Sequence, residues 1–293
     1  MKITVMGSGA WGKALAGVVK NAGHQAELWS RNSIAIMPSE IAVLAVPAQA
    51  MRQILPLIKA PRVISAAKGF ERDTGLSMFE LSKALRPELE FYALSGPSFA
   101  ADVVAGLPTA VTLAGANLES TASLASALTL PNFRIYASDD VTGVEIGGAI
   151  KNVLAIACGI VDGVGLGESA RASLITRGFA ELSRYGRKLG AKPETLMGLS
   201  GLGDLLLTAS GSKSRNYAFG FTIGQGTSIS QALKNSLGVV EGAHTAAVAA
   251  QLALKHGVQM PIVAAVVSIL EGHSNPDSEI KKLLARPVGV EFK

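Results

Sequence analysis

The chain has 293 residues, 48% hydrophobic and 17% charged, which is enough for two cores and excludes a disordered protein. Its net charge of +5 is dispersed and aromatics are few, which suits small anionic molecules better than nucleic acid. The single cysteine, Cys158, excludes an internal disulfide, and four scattered histidines offer no metal-ligand spacing, so no metal is expected.

Apolar stretches raise the question of a membrane. The uncharged stretch 103–118 is broken by Gly106, Pro108 and Gly115 and is too short to span, whereas the run 153–161 fits a buried helix. The start reaches Gly7 too soon for a signal peptide. A cytoplasmic protein without an integral membrane segment is expected.

In chain order, short β-rich runs first alternate with amphipathic stretches, the pattern of a parallel sheet with helical crossovers. The first strand, 2–6, runs straight into Gly7-Ser8-Gly9-Ala10-Trp11-Gly12 and a helix to about Lys20. In such a turn Gly7 makes the bend, Gly9 lets the backbone approach a pyrophosphate, and Gly12 lets the helix pack on the strand. The helix N-terminus then offers free N–H groups to phosphates. A dinucleotide-binding Rossmann domain is expected. The second strand, 25–29, ends at Trp29-Ser30-Arg31 without the acid that normally holds the adenine ribose of NAD, since Glu27 lies inside the strand. Arg31 fits a 2′-phosphate as well as it fits a solvated surface, so NADP and NAD both stay open.

Further strands are predicted at 41–46, 62–65, 89–94, 110–113 and 133–136. Helices are predicted at 75–86, after Thr74 and before Pro87, and at 118–128, after Asn117. Lys68 follows the fourth strand, so it projects at the carboxyl end of the sheet, where ligands of open α/β sheets bind. A surface-loop lysine fits the same residues.

After Ala137 the strands stop, and helices are predicted at 140–160, 169–189, 193–197, 243–256, 261–272 and 276–285. This divides the chain into a nucleotide domain, 1–137, and an all-α domain, 138–293. The stretch 147–156 is apolar almost all round and should be buried, yet it carries Lys151 and Asn152. A desolvated lysine loses proton affinity and becomes usable in acid–base work near neutral pH. A lysine snorkelling to the surface is the alternative. Farther on, Asp204 and Thr208 share a helix face, and 210–216 combines hydroxyls with Lys213 and Arg215, as a phosphate site or a plain surface loop would.

Taken together, the stretches 7–12, 28–31, 45–47, 67–69, 95–100, 147–152, 201–208, 214–216 and 239–242 resemble the bacterial NAD(P)-dependent glycerol-3-phosphate dehydrogenase family, from residue 2 to about 285. The resemblance implies a Rossmann domain followed by an all-α domain of the 6-phosphogluconate-dehydrogenase-like type, and reduction of dihydroxyacetone phosphate to sn-glycerol 3-phosphate for phospholipid synthesis. It implies that Lys151 is the acid–base group, that Asp204 orients and charge-balances it, and that Lys68 contacts both substrate and cofactor. Gly96, Ser98, Asn152, Thr208, Ser214, Arg215 and Asn216 would hold substrate. Gly7, Gly9, Ala10, Trp11, Gly12, Arg31, Ala100, Arg215, Val239 and Glu241 would line the cofactor. A homodimer is expected, because two-fold dimers are the commonest oligomers.

One departure stands out. Between Arg31 and Ile41 the family has a longer passage with a helix, a loop and a further strand, where this chain has nine residues. The expectation is a sheet with its third strand missing or shortened, and weaker cofactor binding. Two other readings compete: a reductase of another small oxo acid on the same plan, and a non-catalytic NAD(P)-binding protein.

Overall fold

The computed structural model describes residues 1–33, 35–236, 238–288 and 290. Seven strands form one sheet in the order β2-β1-β3-β4-β5-β6-β7. β1 (Lys2–Met6), β3 (Ile41–Leu44) and β4 (Arg62–Ser65) are almost wholly buried, as strands covered on both faces must be. Every pairing is parallel except that of β5 (Glu90–Ser95) with β6 (Thr109–Gly115), and β7 (Phe133–Ser138) closes that edge. On one face, α1 (Ala10–Asn21) and α5 (Leu118–Leu128) bury Leu15, Val18, Val19, Leu124 and Leu128. On the other, α2 (Met51–Ile54) and α3 (Met78–Leu85) bury Met51, Ile54, Met78 and Leu81. A short α4 (Ala100–Val104) follows β5.

The opposite edge is β2 (Gln25–Trp29), bonded to β1 alone; no strand stands outside it among the described residues. The chain then recrosses to β3, on the far side of β1, through residues 30–40, with no helix among the described residues of that link. An extended chain advances roughly 3.3 Å per residue, so this short link can make the crossing. Ile36 packs onto the α2–α3 face, against the cluster that holds Met6, Trp29 and Leu44. The shortened sheet edge expected from the sequence is therefore present.

The remaining chain is helical: α6 (Val141–Val164), α7 (Glu168–Lys188), α8 (Pro193–Met197), α9 (Asp204–Ala209), α10 (Arg215–Gly224), α11 (Ile229–Asn235), α12 (Glu241–Lys255), α13 (Pro261–Leu270) and α14 (Pro276–Leu284). α6 starts at Asp140, whose Oδ1 accepts from Gly143 N at 2.8 Å while its Oδ2 accepts from Lys192 N at 2.8 Å. It stops at Gly165, which supplies a left-handed φ of 86°. Among the described residues α6 alone is long and apolar enough to cross a membrane, but 94% of its most apolar window lies inside the protein. At its glycines α10 lies directly on the backbone of α6. A Cβ at Gly159 would sit 2.1 Å from Tyr217 O, and one at Gly220 would sit 2.1 Å from Ile156 O.

Several local expectations change. The helix predicted from 75 begins at Met78, because Ser77 and Glu80 form a reciprocal cap, while the Thr74 hydroxyl turns to Glu71. β3 ends at Leu44 rather than 46, since the chain turns through Pro47 into a short helical stretch. α12 starts at Glu241, not 243. α2, α4, α10 and α11 were not predicted. β7 ends at Ser138 and α6 begins at Val141. The end of the expected second domain, 289 and 291–293, lies outside the described residues.

Candidate active site

The glycine turn after β1 has the geometry its residue types demand. Gly7 has φ of 122°, and a Cβ there would lie 2.4 Å from Ala45 O. A Cβ at Gly12 would lie 1.8 Å from Gly7 O, so α1 presses on the turn. At Gly9 the reverse holds: nothing lies within 4 Å of a Cβ, and the N-cap of α1 has no side-chain hydrogen bond. A phosphate group fits there, against free N–H groups at the positive end of the helix. Ala10 is exposed and Trp11 half-buried beside this turn.

Lys68 enters from the loop after β4, and Lys151 from the middle of α6. Asp204, the first residue of α9, meets both. Lys151 Nζ donates to Asp204 Oδ1 at 2.5 Å and to Thr208 Oγ1 at 2.7 Å; Lys68 Nζ donates to Asp204 Oδ2 at 2.6 Å and to Gly96 O at 3.3 Å. Asp204 and Thr208 thus share the face that their spacing predicted. Asp204 is set by a wide turn, Leu199–Gly203, in which Gly203 N bonds back to Gly198 O. That turn packs so tightly that a Cβ at Gly201 would sit 1.9 Å from Leu196 O, and one at Gly147 of α6 would sit 2.5 Å from Ser200 O.

Burial fixes the electrostatics. Desolvation pulls the Lys151 ammonium down to about 8, with Lys68 helping and Asp204 opposing. Burial pushes the Asp204 carboxyl up, but the two ammonium groups outweigh it and hold the group below the usual carboxylate range. Glu241, at the start of α12, is raised by burial against the pull of Arg215, Lys68 and Lys151.

Beside Lys151, Asn152 Oδ1 accepts from Asn216 Nδ2 at 3.0 Å, and Asn216 Oδ1 accepts from Gly242 N at 2.9 Å. Asn152 Nδ2 is buried without a partner, a donor free for a ligand oxygen. Ser214 caps α10 by accepting from Tyr217 N, which leaves its hydroxyl hydrogen to donate. Arg215 is exposed, with its guanidinium against Gly238. The Ser98 hydroxyl donates to Gly96 O, the carbonyl that Lys68 also reaches. Ala100 opens α4, Val239 is 40% exposed, and Arg31 stands exposed past the end of β2. Lys68, Gly96, Ser98, Lys151, Asp204 and Thr208 therefore form one hydrogen-bonded group and Asn152 with Asn216 a second beside it, while Arg31, Ala100 and Val239 stand outside those contacts. No group of three or more His, Cys, Asp or Glu side chains suited to a metal occurs among the described residues. Sequence reasoning passed over Ser65, Ser95 and Glu145, which line a cavity against Lys68. The signal was there for Glu145: a second charge on the same apolar helix as Lys151.

The arrangement places a buried proton-carrying lysine and a free amide donor near the carboxyl end of a sheet that begins with a nucleotide turn. Comparison with known proteins agrees. Family descriptions of the NAD-dependent glycerol-3-phosphate dehydrogenase N-terminus and C-terminus match residues 2–121 and 140–281, the first in two pieces, 2–39 and 32–121. Those pieces meet in the β2–β3 link. The glycerol-3-phosphate dehydrogenase [NAD(P)+] of Methylobacterium radiotolerans is 47% identical over 326 positions, covering 99% of this chain and 98% of that protein. That of Rhodospirillum rubrum is 44% identical, covering 99% and 93%. An alignment of 326 positions against 293 residues means that the relative carries a stretch this chain lacks. The crystal structure of glycerol-3-phosphate dehydrogenase from Coxiella burnetii superposes with a TM-score of 0.90 at 34% identity, over 97% of this chain and 99% of that one. On its own side chains and on these likenesses along its whole length, the chain belongs to the NAD-dependent glycerol-3-phosphate dehydrogenase family.

Proposed function

We propose that this chain interconverts dihydroxyacetone phosphate and sn-glycerol 3-phosphate with NAD(P)H, and that the observation carrying this reading is the buried Lys151–Asp204–Lys68 cluster. The nicotinamide, when bound, supplies or takes the hydride at substrate C2. The open turn at Gly9 and the uncapped start of α1 fit its pyrophosphate, with Gly7, Ala10, Trp11 and Gly12 around them and Arg31, Ala100, Arg215, Val239 and Glu241 along the remainder.

Lys151 holds its proton at the C2 oxygen and gives it up as the alcohol forms. Its lowered proton affinity makes that transfer easier than from an ordinary lysine. Asp204 fixes the direction of the ammonium and balances its charge. Lys68 adds a second positive group where negative charge develops. The free Asn152 amide donates to substrate, and Ser214, Arg215 and Asn216, with Gly96 and Ser98, hold the phosphate end.

We further infer a cytoplasmic homodimer whose product feeds phospholipid synthesis. The direct experiment follows loss of reduced-nicotinamide absorbance with dihydroxyacetone phosphate, using NADPH and NADH in parallel. Turnover with either is the expected result. Nucleotide binding without turnover on any small oxo substrate would instead favour a non-catalytic binding protein, the reading that the shortened sheet edge recommends.

A further inference from the structure

A small cavity lies between the carboxyl ends of β4 and β5 and the side of α6, lined by Ser65, Lys68, Ser95, Glu145 and Gly148 and otherwise apolar. It has room for about one water molecule. Among the described residues Lys68 and Glu145 are its titratable walls. The hydroxyls of Ser65 and Ser95 are buried there without a partner in the protein. A buried polar group left so costs roughly 1–3 kcal/mol, and a bridging water removes that cost. Gly148 keeps the space open: a Cβ on it would sit 2.9 Å from Ser95 Oγ and 3.4 Å from Lys68 Cγ.

The reaction poses a supply problem at this place. Each reduction takes one proton from Lys151, and bound substrate and cofactor would cover the face from which solvent could return it. Asp204 already ties Lys151 to Lys68 through its two oxygens. We propose that Glu145, Ser95, Ser65 and a water held between them form a proton path that recharges this cluster through Lys68.

The proposal rests on the catalytic reading above, and its steps balance. The N–H bond of Lys151 breaks as the O–H bond of the alcohol forms. A proton then passes from Lys68 along Asp204 to Lys151, Lys68 regains one from the cavity water, and that water takes one from Glu145. Glu145 as a residue is half-buried, and the path takes up its proton from solvent there. One proton is consumed per turnover, no electron moves along the path, and oxidation runs it backwards.

Glu145 stands between two sets of groups. Its Oε1 accepts from Phe79 N at 2.9 Å, with Ser77 and Met78 N as further donors at the start of α3, while the Glu80 carboxylate lies nearby on α3 and Lys68 stands across the cavity. Burial pushes its carboxyl up to about 7; the α3 donors work against the rise and Glu80 with it. Such a group changes hands with a proton readily at neutral pH.

Glu145→Gln tests the path, because an amide oxygen still accepts from Phe79 N but cannot carry the proton. Thermal midpoint and substrate KM should stay at the wild-type values, while kcat for reduction falls about tenfold, the solvent deuterium isotope effect on kcat rises, and the pH profile moves. Ser95→Ala, which leaves the cap of α3 untouched, should shift kcat and the isotope effect in the same direction. In the protein without cofactor, infrared titration should show a carboxyl group ionising near neutral pH that is lost in Glu145→Gln and displaced in Ser95→Ala. Wild-type kcat and isotope effect in both variants would overturn the path. So would a slow Glu145→Gln with a lowered melting point and an unchanged isotope effect, which would leave Glu145 as a helix cap alone. Wild-type protein with no turnover at all is a different outcome: it sinks the function reading and takes the path with it.

Discussion

At the scale of single residues, Lys151 is governed by a contest between burial, which favours its neutral form, and Asp204, which favours the charged one. In the proposed mechanism the charged form is the donor in reduction, and burial pulls the ammonium down to about 8. Reduction should therefore lose rate as pH rises through about 8, and oxidation should gain rate over the same interval; pH–rate profiles in both directions check the sign. Asp204→Asn removes the group that opposes desolvation and leaves two ammonium groups facing each other. The limb of the reduction profile should move to lower pH in that variant, and no movement would remove Asp204 from control of Lys151. Lys151→Met should cut kcat by about 10²–10⁴ while nucleotide still binds, as fluorescence from Trp11 or Trp29 can report.

Among the secondary elements, the contact of α6 with α10 sets the distance between Asn152 and Asn216. Gly159→Ala or Gly220→Ala would force the two backbones apart, and a loss of about 3 kcal/mol or more is expected in denaturant unfolding. Gly17→Ala is the control: it lies inside α1 with nothing within 4 Å of a Cβ, and should gain up to about 1 kcal/mol. The same contact explains why α10 escaped the sequence reading. Gly220 and Gly224 look like interruptions until the helix they touch is known, and Ser214 looks like part of a loop until its cap is seen. Strands β1 to β7, by contrast, were legible as runs bounded by Gly, Pro and charged residues. The Asp204–Thr208 face was legible from spacing and the place of Lys68 from the strand before it, but their pairing was not, because only the fold brings a residue 136 positions away to Asp204. The link 30–40 was legible as a shortage of residues. With so few residues in this link, NADH should bind more weakly than to relatives with the longer passage, and reduced nicotinamide mononucleotide should lose little relative to NADH. Equilibrium titration of both ligands tests this, and a tight NADH constant with a large mononucleotide penalty would contradict it.

For the whole molecule, the boundary between sheet and helices is sharp in sequence and blurred in space. Phe70, from the sheet half, is buried in the helical core, while Val141 and Val144 of α6 are buried in the core under α2 and α3. The Lys68–Asp204 ion pair bridges the same divide. Two halves that share core residues and a buried charge pair cannot melt independently without exposing both. Calorimetry should show one cooperative transition, and two resolved transitions would mean that the shared core contributes little.

The short link between β2 and β3 also bears on how the chain finds its fold. β1 must wait for β3 to gain its second partner, and the entropy of closing that loop falls by about 0.6 kcal/mol for each halving of its length. With the link reduced to residues 30–40, the first three strands become a nearly local assembly that lies within the first 44 residues. A growing chain can complete this nucleus before the helical half has been made.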